Sequence, residues 1–98
     1  MTLITREGLV TITSPNRLLN RLCKHFSHRV QVEYHKFSAR VTFAEGSCHL
    51  QANADQLRIV CSADSPDNLE AIVSTLNRHV PQFCAPDTAW VNWKAISG

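Results

Sequence analysis

The residues best suited to chemistry lie together in one short segment. Residues 22–28 read Leu-Cys-Lys-His-Phe-Ser-His, which places Cys23, His25 and His28 in a Cys-x-His-x-x-His pattern. Thiolate and imidazole groups suit zinc, copper and iron. A cysteine within reach of a histidine can also act as a nucleophile with its base. The segment is therefore a candidate metal site and a candidate thiol active site.

Helical geometry separates the cysteine from the first histidine. Successive residues of an α-helix turn by about 100°, so Cys23 and His25 point about 200° apart, on opposite flanks of an apolar stripe. A shared metal ion, or a nucleophile–base pair, would require the helix to unwind there. His25 and His28 are three residues apart and share one flank if the helix continues to His28.

A third histidine, His79, lies near the end of the second predicted helix, on the corresponding flank of its apolar stripe. If the two helices are antiparallel, these flanks either both face the seam between them or both face outward. The first arrangement brings His25 and His79 together. We therefore take His25, His28 and His79 as candidate ligands of a transition metal, and Cys23 as a further ligand-binding candidate. The simpler alternative is that the histidines bond the last carbonyl groups of their helices and complement the helix dipoles.

The other cysteines point to no site. None of the four cysteines has Cys-x-x-Cys spacing, which argues against a zinc ribbon or a thioredoxin-type motif. Cys48 and Cys61 are expected opposite each other on the inward face of a sheet, where reduced thiols behave as small core residues. Cys84 follows the second helix, with no base beside it in the sequence.

Two helices are predicted to carry the histidines. Each begins with Ser-Pro, at Ser14-Pro15 and at Ser65-Pro66, with serine as N-cap and proline at the first helical position. Pro81 is expected to end the second helix. Apolar residues recur at helical spacing in both segments: Leu18, Leu19, Leu22 and Phe26 in the first, and Leu69, Ile72, Val73, Leu76 and Val80 in the second.

Between the helices, apolar and polar residues alternate in four short runs, the pattern of an antiparallel meander. Turns are expected at residues 36–37, 44–47 and 53–56. Because side chains alternate between the two faces of a sheet, the register can be checked row by row. Three inward rows align: Val30–Phe43–Cys48–Cys61, Val32–Val41–Leu50–Ile59 and Tyr34–Ala39–Ala52–Leu57.

Further strands are expected at residues 9–13, before the first helix, and around residues 89–94, after the second. An antiparallel sheet with one apolar face needs a cover, which two amphipathic helices supply. The sequence therefore predicts an α+β fold: a two-layer sandwich in the order β-α-β-β-β-β-α-β, with both helices on one face. We expect a single domain over residues 1–98.

Composition narrows the range of partners. The 98 residues carry a formal charge of +2, with no block of like charge, so we expect no nucleic-acid partner. The N-terminus does not resemble a signal peptide and the apolar runs are short, so we expect a cytoplasmic protein without a membrane partner. A protein partner or a second copy of the chain would bind the open sheet face, or Trp90 and Trp93, which fall on opposite faces of the last strand.

The string from Asn16 to Val30, Asn-Arg-Leu-Leu-Asn-Arg-Leu-Cys-Lys-His-Phe-Ser-His-Arg-Val, resembles the start of the bacterial domain of unknown function 2218 family. The resemblance extends over about residues 8 to 94. One departure is Pro81-Gln82, where the family more often has a basic residue, and it disfavours anion binding at that corner. The other matching features are Glu33, the Phe43-x-x-Gly46 turn into Cys48-His-Leu, the Leu57 strand, the His79-Val-Pro-Gln-Phe83 helix end and Trp93.

The resemblance implies fold and length rather than an activity. Some members are associated with siderophore-interacting reductases, which implies a link to iron handling. The leading hypothesis is a small non-enzymatic accessory or ligand-binding protein, linked to iron or siderophore metabolism. One alternative is a structural or homo-oligomeric interaction module. The other is a thiol or redox enzyme that uses Cys23.

Overall fold

The computed structural model describes residues 3–84 and 91–96. Within this part, two helices accompany one six-stranded antiparallel sheet, with the strands in the order β2-β3-β4-β5-β1-β6. The predicted α+β class is confirmed. The elements are β1 (Ile4–Thr11), α1 (Pro15–Phe26), β2 (Gln31–His35), β3 (Ser38–Thr42), β4 (Gly46–Ala52), β5 (Gln56–Ala63), α2 (Pro66–His79), a 3₁₀ turn (Val80–Phe83) and β6 (Asn92–Ile96).

Both helices begin with proline at the first helical position, as the Ser-Pro pairs predict. Their caps differ. The hydroxyl of Ser65 accepts a hydrogen bond from the backbone N–H of Asn68 at 3.2 Å, whereas Ser14 makes no side-chain cap bond. At its other end α2 ends at His79, and the 3₁₀ turn that contains Pro81 follows directly. This turn brings the chain back toward α1.

The strand pairing confirms most of the predicted register. Val32 pairs with Val41, and Cys48 with Cys61. The prediction is wrong between β3 and β4, where Val41 pairs with Cys48 rather than with Leu50. The cause is a tighter turn between the strands. The backbones of Phe43 and Gly46 hydrogen-bond to each other, so the turn contains two residues instead of the four that were predicted. A shift of two residues keeps every side chain on its predicted face.

The first strand lies earlier in the chain than predicted, starting at Ile4 and ending at Thr11. Its core-facing positions include Arg6 and Gly8, which pair with core residues of β5 and interrupt the apolar alternation. Arg6 reaches α2, where its guanidinium forms an ion pair with Glu70. The space beside Gly8 is filled by the Trp93 ring, because a Cβ there would lie 2.9 Å from that ring.

One apolar core unites the helices and the sheet. The predicted helical stripes are buried together with alternate residues of the strands, and full burial of each such side chain contributes about 1.5–3 kcal/mol. The largest fully buried members include Leu18, Leu19, Leu22, Leu50, Leu57, Ile59, Ile72 and Leu76. No helix within residues 3–84 and 91–96 is long and apolar enough to cross a membrane.

Trp93 is anchored rather than free, because its indole N–H donates to the side-chain oxygen of Asn77 on α2 at 2.7 Å. Trp90, the other tryptophan proposed for an interface, lies outside the described residues. Residues 89 and 90 of the predicted last strand also lie outside the described residues, and from Asn92 onward the prediction overlaps β6.

Candidate functional site

The C-terminal turns of the two helices meet, and this contact brings two of the candidate histidines together. His25 is the penultimate residue of α1 and His79 is the last residue of α2. Their ring centroids are 4.7 Å apart, with the ring planes tilted by 40°. The predicted approach of His25 to His79 is therefore present, but it occurs where the C-terminal ends of the helices meet and not along an antiparallel seam between them.

A cleft of about 340 Å³ opens beside this pair. We call it the histidine cleft. Its described lining combines polar or basic side chains with apolar ones, and contains no acidic residue. The polar and basic residues are His25, Arg29, Thr75, Arg78 and His79, and the apolar ones are Phe26, Val30 and Phe43.

Aromatic rings from four parts of the fold build the floor and sides of this region. Phe26 meets Phe43 edge to face, with centroids 5.5 Å apart and planes at 83°. The ring centroids of Phe26 and His79 are 5.7 Å apart. Those of His25 and Phe83, the latter in the 3₁₀ turn, are 5.2 Å apart. We call these five rings the aromatic cluster. Edge-to-face contacts of this kind add about 0.5–1.5 kcal/mol beyond area burial, so the cluster gives the cleft a defined shape.

Each histidine has a different environment. The ring of His79 bonds the carbonyl of Thr75 through Nδ1 at 2.7 Å. Because a carbonyl only accepts, Nδ1 carries the proton and Nε2 of the neutral ring is an acceptor. This bond matches the simpler alternative, a helix-end histidine satisfying a carbonyl. His25 is exposed at the cleft. Its pKa is lowered, first by desolvation and then by the nearby charges of His79, Arg29 and His28.

The positive charge of the side chains that line the cleft exceeds the negative partial charge of the two helix C-termini. Each helix C-terminus carries about half a negative charge, so two together present about one. Arg29 and Arg78 are permanently charged, and within the described residues neither has an ion-pair partner. The cleft therefore keeps about one positive charge when both imidazoles are neutral, and about three when both are protonated.

Cys23 does not belong to this site. It is buried in the core, only 6% exposed, whereas His25 is on the surface. Burial raises the pKa of the Cys23 thiol to about 11. A nucleophilic or metal-binding cysteine must be a thiolate, so this environment works against the thiol-enzyme hypothesis.

His28 is near enough for its charge to act on His25, but it does not line the cleft with the pair. α1 ends at Phe26, so His28 lies in the following turn, and the condition under which it shares a flank with His25 is not met. It is exposed and is not among the described residues that line the cleft. Across residues 3–84 and 91–96, no three His, Cys, Asp or Glu side chains are grouped so that they could hold a metal ion. The His25–His79 pair is the part of the predicted cluster that the fold assembles.

Sequence reasoning missed the arginines and one of the phenylalanines. Arg29 follows α1 and Arg78 precedes His79, so a signal was present in the basic residues at both helix ends. Such residues are common at C-termini, where they complement the dipole. Nothing in the sequence indicated that the two ends meet over Phe43.

A second, shallower depression lies on the open sheet face and includes Glu33, His35, Arg40 and His49. Here acidic and basic groups are mixed, because Glu33 and Arg40 are paired across β2 and β3. Opposite charges on neighbouring strands stabilise each other, so this face carries less unbalanced charge than the histidine cleft.

The fold and the cleft together define a small α+β protein with a basic, partly aromatic cleft. The family model for DUF2218, described as an uncharacterised protein conserved in bacteria, matches residues 7–94. The chain therefore belongs to this bacterial family of domains of unknown function. Among solved structures, it is similar to the NMR structure of PA4090 from Pseudomonas aeruginosa, with a TM-score of 0.77 and 23% identity over 93% of this chain and 95% of that one. This similarity concerns the fold alone. No curated protein matches.

Proposed function

We propose that this protein is a small, non-enzymatic binding protein, and that its ligand is a small anionic molecule held in the histidine cleft. One observation carries the proposal: Arg29 and Arg78 line a cleft whose described walls contain no carboxylate. Guanidinium groups bind carboxylates and phosphates through paired N–H donors. Two guanidinium groups without an ion-pair partner among the described residues, beside two imidazoles, are therefore suited to an anion.

The predicted two-layer arrangement, with both helices on one face of the sheet, supports this proposal because it leaves the helix ends free to form the cleft. The cleft volume of about 340 Å³ is at the lower end of the range for small-molecule sites, about 300–1,000 Å³. Pro81 and Gln82, which disfavour an anion at their corner, are not among the described lining residues. The positive charge comes instead from the segments that end each helix.

The test is a binding titration with the fluorescent probe 8-anilinonaphthalene-1-sulfonate, which is both anionic and aromatic. We expect saturable binding that weakens about 10-fold or more in Arg78→Gln, since a hydrogen bond to a charged group contributes about 1.5–3 kcal/mol. Arg17→Gln is the matched control, because Arg17 is exposed in the first turn of α1 and its loss changes the net charge equally. Equal weakening in both variants would show a nonspecific charge effect and would contradict the proposal.

The iron and siderophore link is part of the proposal as one source of ligand, supported by the resemblance alone. It is tested by the metal content of untagged protein purified without chelators, measured by mass spectrometry beside the His25→Ala/His28→Ala double variant. Near-stoichiometric metal that disappears in the variant would replace the anion site with a metal site. Metal-free protein that binds the fluorescent probe would favour the anion.

Self-association is a second candidate function, favoured by two exposed aromatic residues near the sheet edge. Tyr34 is 45% exposed on β2, and Phe37, in the turn that follows, is 52% exposed. β2 pairs only with β3 in the described sheet, so its other edge offers unpaired backbone groups to a second copy. Sedimentation velocity over a 100-fold concentration range tests this candidate. A dimer that dissociates in Phe37→Ser would support it, and a strict monomer would rule it out.

A further inference from the structure

The shape and chemistry of the histidine cleft narrow the ligand further. We propose that the ligand is an aromatic acid, meaning a flat aromatic ring that bears one anionic group. This inference rests on the proposed function. The ring lies against the aromatic cluster, and the anionic group lies between Arg29 and Arg78.

The aromatic character follows from the walls of the cleft. Phe26 is only 6% exposed and meets Phe43 at 83°, so the rings that a ligand can reach are those of Phe43, His25 and His79. These three rings come from three different parts of the fold. A flat aromatic ring can meet them edge to face or stacked, and each such contact is worth about 2- to 12-fold in affinity over an aliphatic group of equal area.

The arginines favour a ring as well as a charge. A guanidinium group is planar and stacks on aromatic faces while its N–H groups bind an anion. Arg29 and Arg78 come from different segments that line the cleft, one after α1 and one near the end of α2. An aromatic ring with its anionic group attached directly allows both interactions at the same time, whereas a flexible chain loses more rotational freedom on binding.

The charge of the cleft favours a single anionic group. With both imidazoles neutral, the two guanidinium groups exceed the two helix C-termini by about one positive charge. A monoanion balances this surplus. A dianion would leave excess negative charge beside the carbonyl ends of two helices unless His25 and His79 were protonated.

The experiment compares three matched compounds by isothermal titration calorimetry with the full chain. The compounds are 2-naphthoate, its neutral amide 2-naphthamide, and the saturated acid decahydro-2-naphthoate. We expect 2-naphthoate to bind at least about 10-fold more tightly than the amide and at least about 5-fold more tightly than the saturated acid. Phe43→Leu should reduce the preference for the ring, while Arg78→Gln should reduce the preference for the charge.

The possible failures are distinguishable. If the saturated acid binds as tightly as 2-naphthoate, and both weaken in Arg78→Gln, the anion site stands and the aromatic inference is wrong. If the amide binds as tightly as the acid, or if none of the three compounds binds, the proposed function itself fails. Backbone NMR shifts on adding 2-naphthoate locate the site. Shifts confined to the sheet face around Arg40 and His49 would overturn the assignment to the cleft.

Discussion

Acidification should tighten anion binding through the imidazole of His25 in the histidine cleft. The pKa of His25 is lowered in the free protein, mainly by desolvation, with further contributions from His79, Arg29 and His28. Phe83 packs on the same ring from the 3₁₀ turn, and Arg78 lines the cleft from α2. A bound anion offsets the positive neighbours and favours the protonated ring. Binding should therefore take up protons, and affinity should rise as the pH falls.

The expected gain in affinity follows from the exposure of His25. A solvent-screened ion pair contributes at most about 1 kcal/mol, so we assign about 0.5–1 kcal/mol to the protonated His25 ring. This corresponds to about 2- to 5-fold in affinity. Since the pKa of His25 is lowered from the ordinary histidine value of about 6.5, the change should fall near and below that pH.

Calorimetry with 2-naphthoate, in two buffers of different ionisation enthalpy, measures both the affinity and the proton uptake. We expect between zero and one proton taken up per ligand through His25, at pH values near and below the ordinary histidine pKa of about 6.5. His25→Gln should reduce the uptake and flatten the pH profile, whereas His49→Gln on the open sheet face should change neither. An affinity that does not vary with pH, or an equal pH slope in wild type and His25→Gln, would refute the coupling.

The lowered pKa of His25 also makes the free energy of unfolding of the ligand-free protein depend on pH. Because the folded-state pKa of His25 is lowered, the unfolded chain binds the proton more readily. The contribution of His25 to the free energy of unfolding is therefore present well above the ordinary histidine pKa and declines as the pH falls through it. Part of the loss of stability between pH 7.5 and pH 5 should disappear in His25→Gln and on saturation with an anion.

Three further predictions concern the scaffold. Leu22 is fully buried, so Leu22→Ala should lower the free energy of unfolding by about 2–5 kcal/mol, while the exposed control Leu3→Ala should change it by less than about 0.5 kcal/mol in urea titrations. Gly46→Ala should lower the melting temperature more than Gly8→Ala does. A Cβ at Gly46 would lie 2.2 Å from the backbone oxygen of Ser62, whereas a Cβ at Gly8 would meet only side chains. The reverse order of melting temperatures would contradict this prediction. The Cys23 thiol, with a pKa of about 11, should react with iodoacetamide at pH 7 at least about 100-fold more slowly than in the denatured chain, as followed by mass spectrometry.

The faces of the elements were predictable because they depend on periodicity. Every predicted stripe residue of α1 and α2 is buried. Most inward strand positions are buried or half-buried as predicted, but Tyr34, predicted to face inward, is 45% exposed because β2 is the edge strand. The register between β3 and β4 was not predictable, since it depends on whether the Phe43–Gly46 turn spans two or four residues. Alternation is unchanged by a shift of two residues, so hydrophobic patterning cannot choose between these turns.

The start of β1 shows a second limit of predicting strands from the alternation of apolar and polar residues. Arg6 and Gly8 occupy core-facing positions, so the strand does not alternate in its first half. What compensates for them lies far away in sequence: Glu70 for the charge of Arg6, and the ring of Trp93 for the space beside Gly8. A local pattern contains no information about such distant partners.

The candidate site was predictable only in part, and the part that was missed changes its chemistry. The Cys-x-His-x-x-His string drew attention to Cys23, and His25, His28 and His79 were the candidate metal ligands, but the fold buries Cys23 and ends α1 before His28. Two imidazoles alone make an incomplete ligand set for a structural metal. The residues that join them are Arg29 and Arg78, whose permanent charges repel a cation and attract an anion. The meeting of two helix ends, which no single segment of the sequence reveals, thus favours an anion over a metal ion.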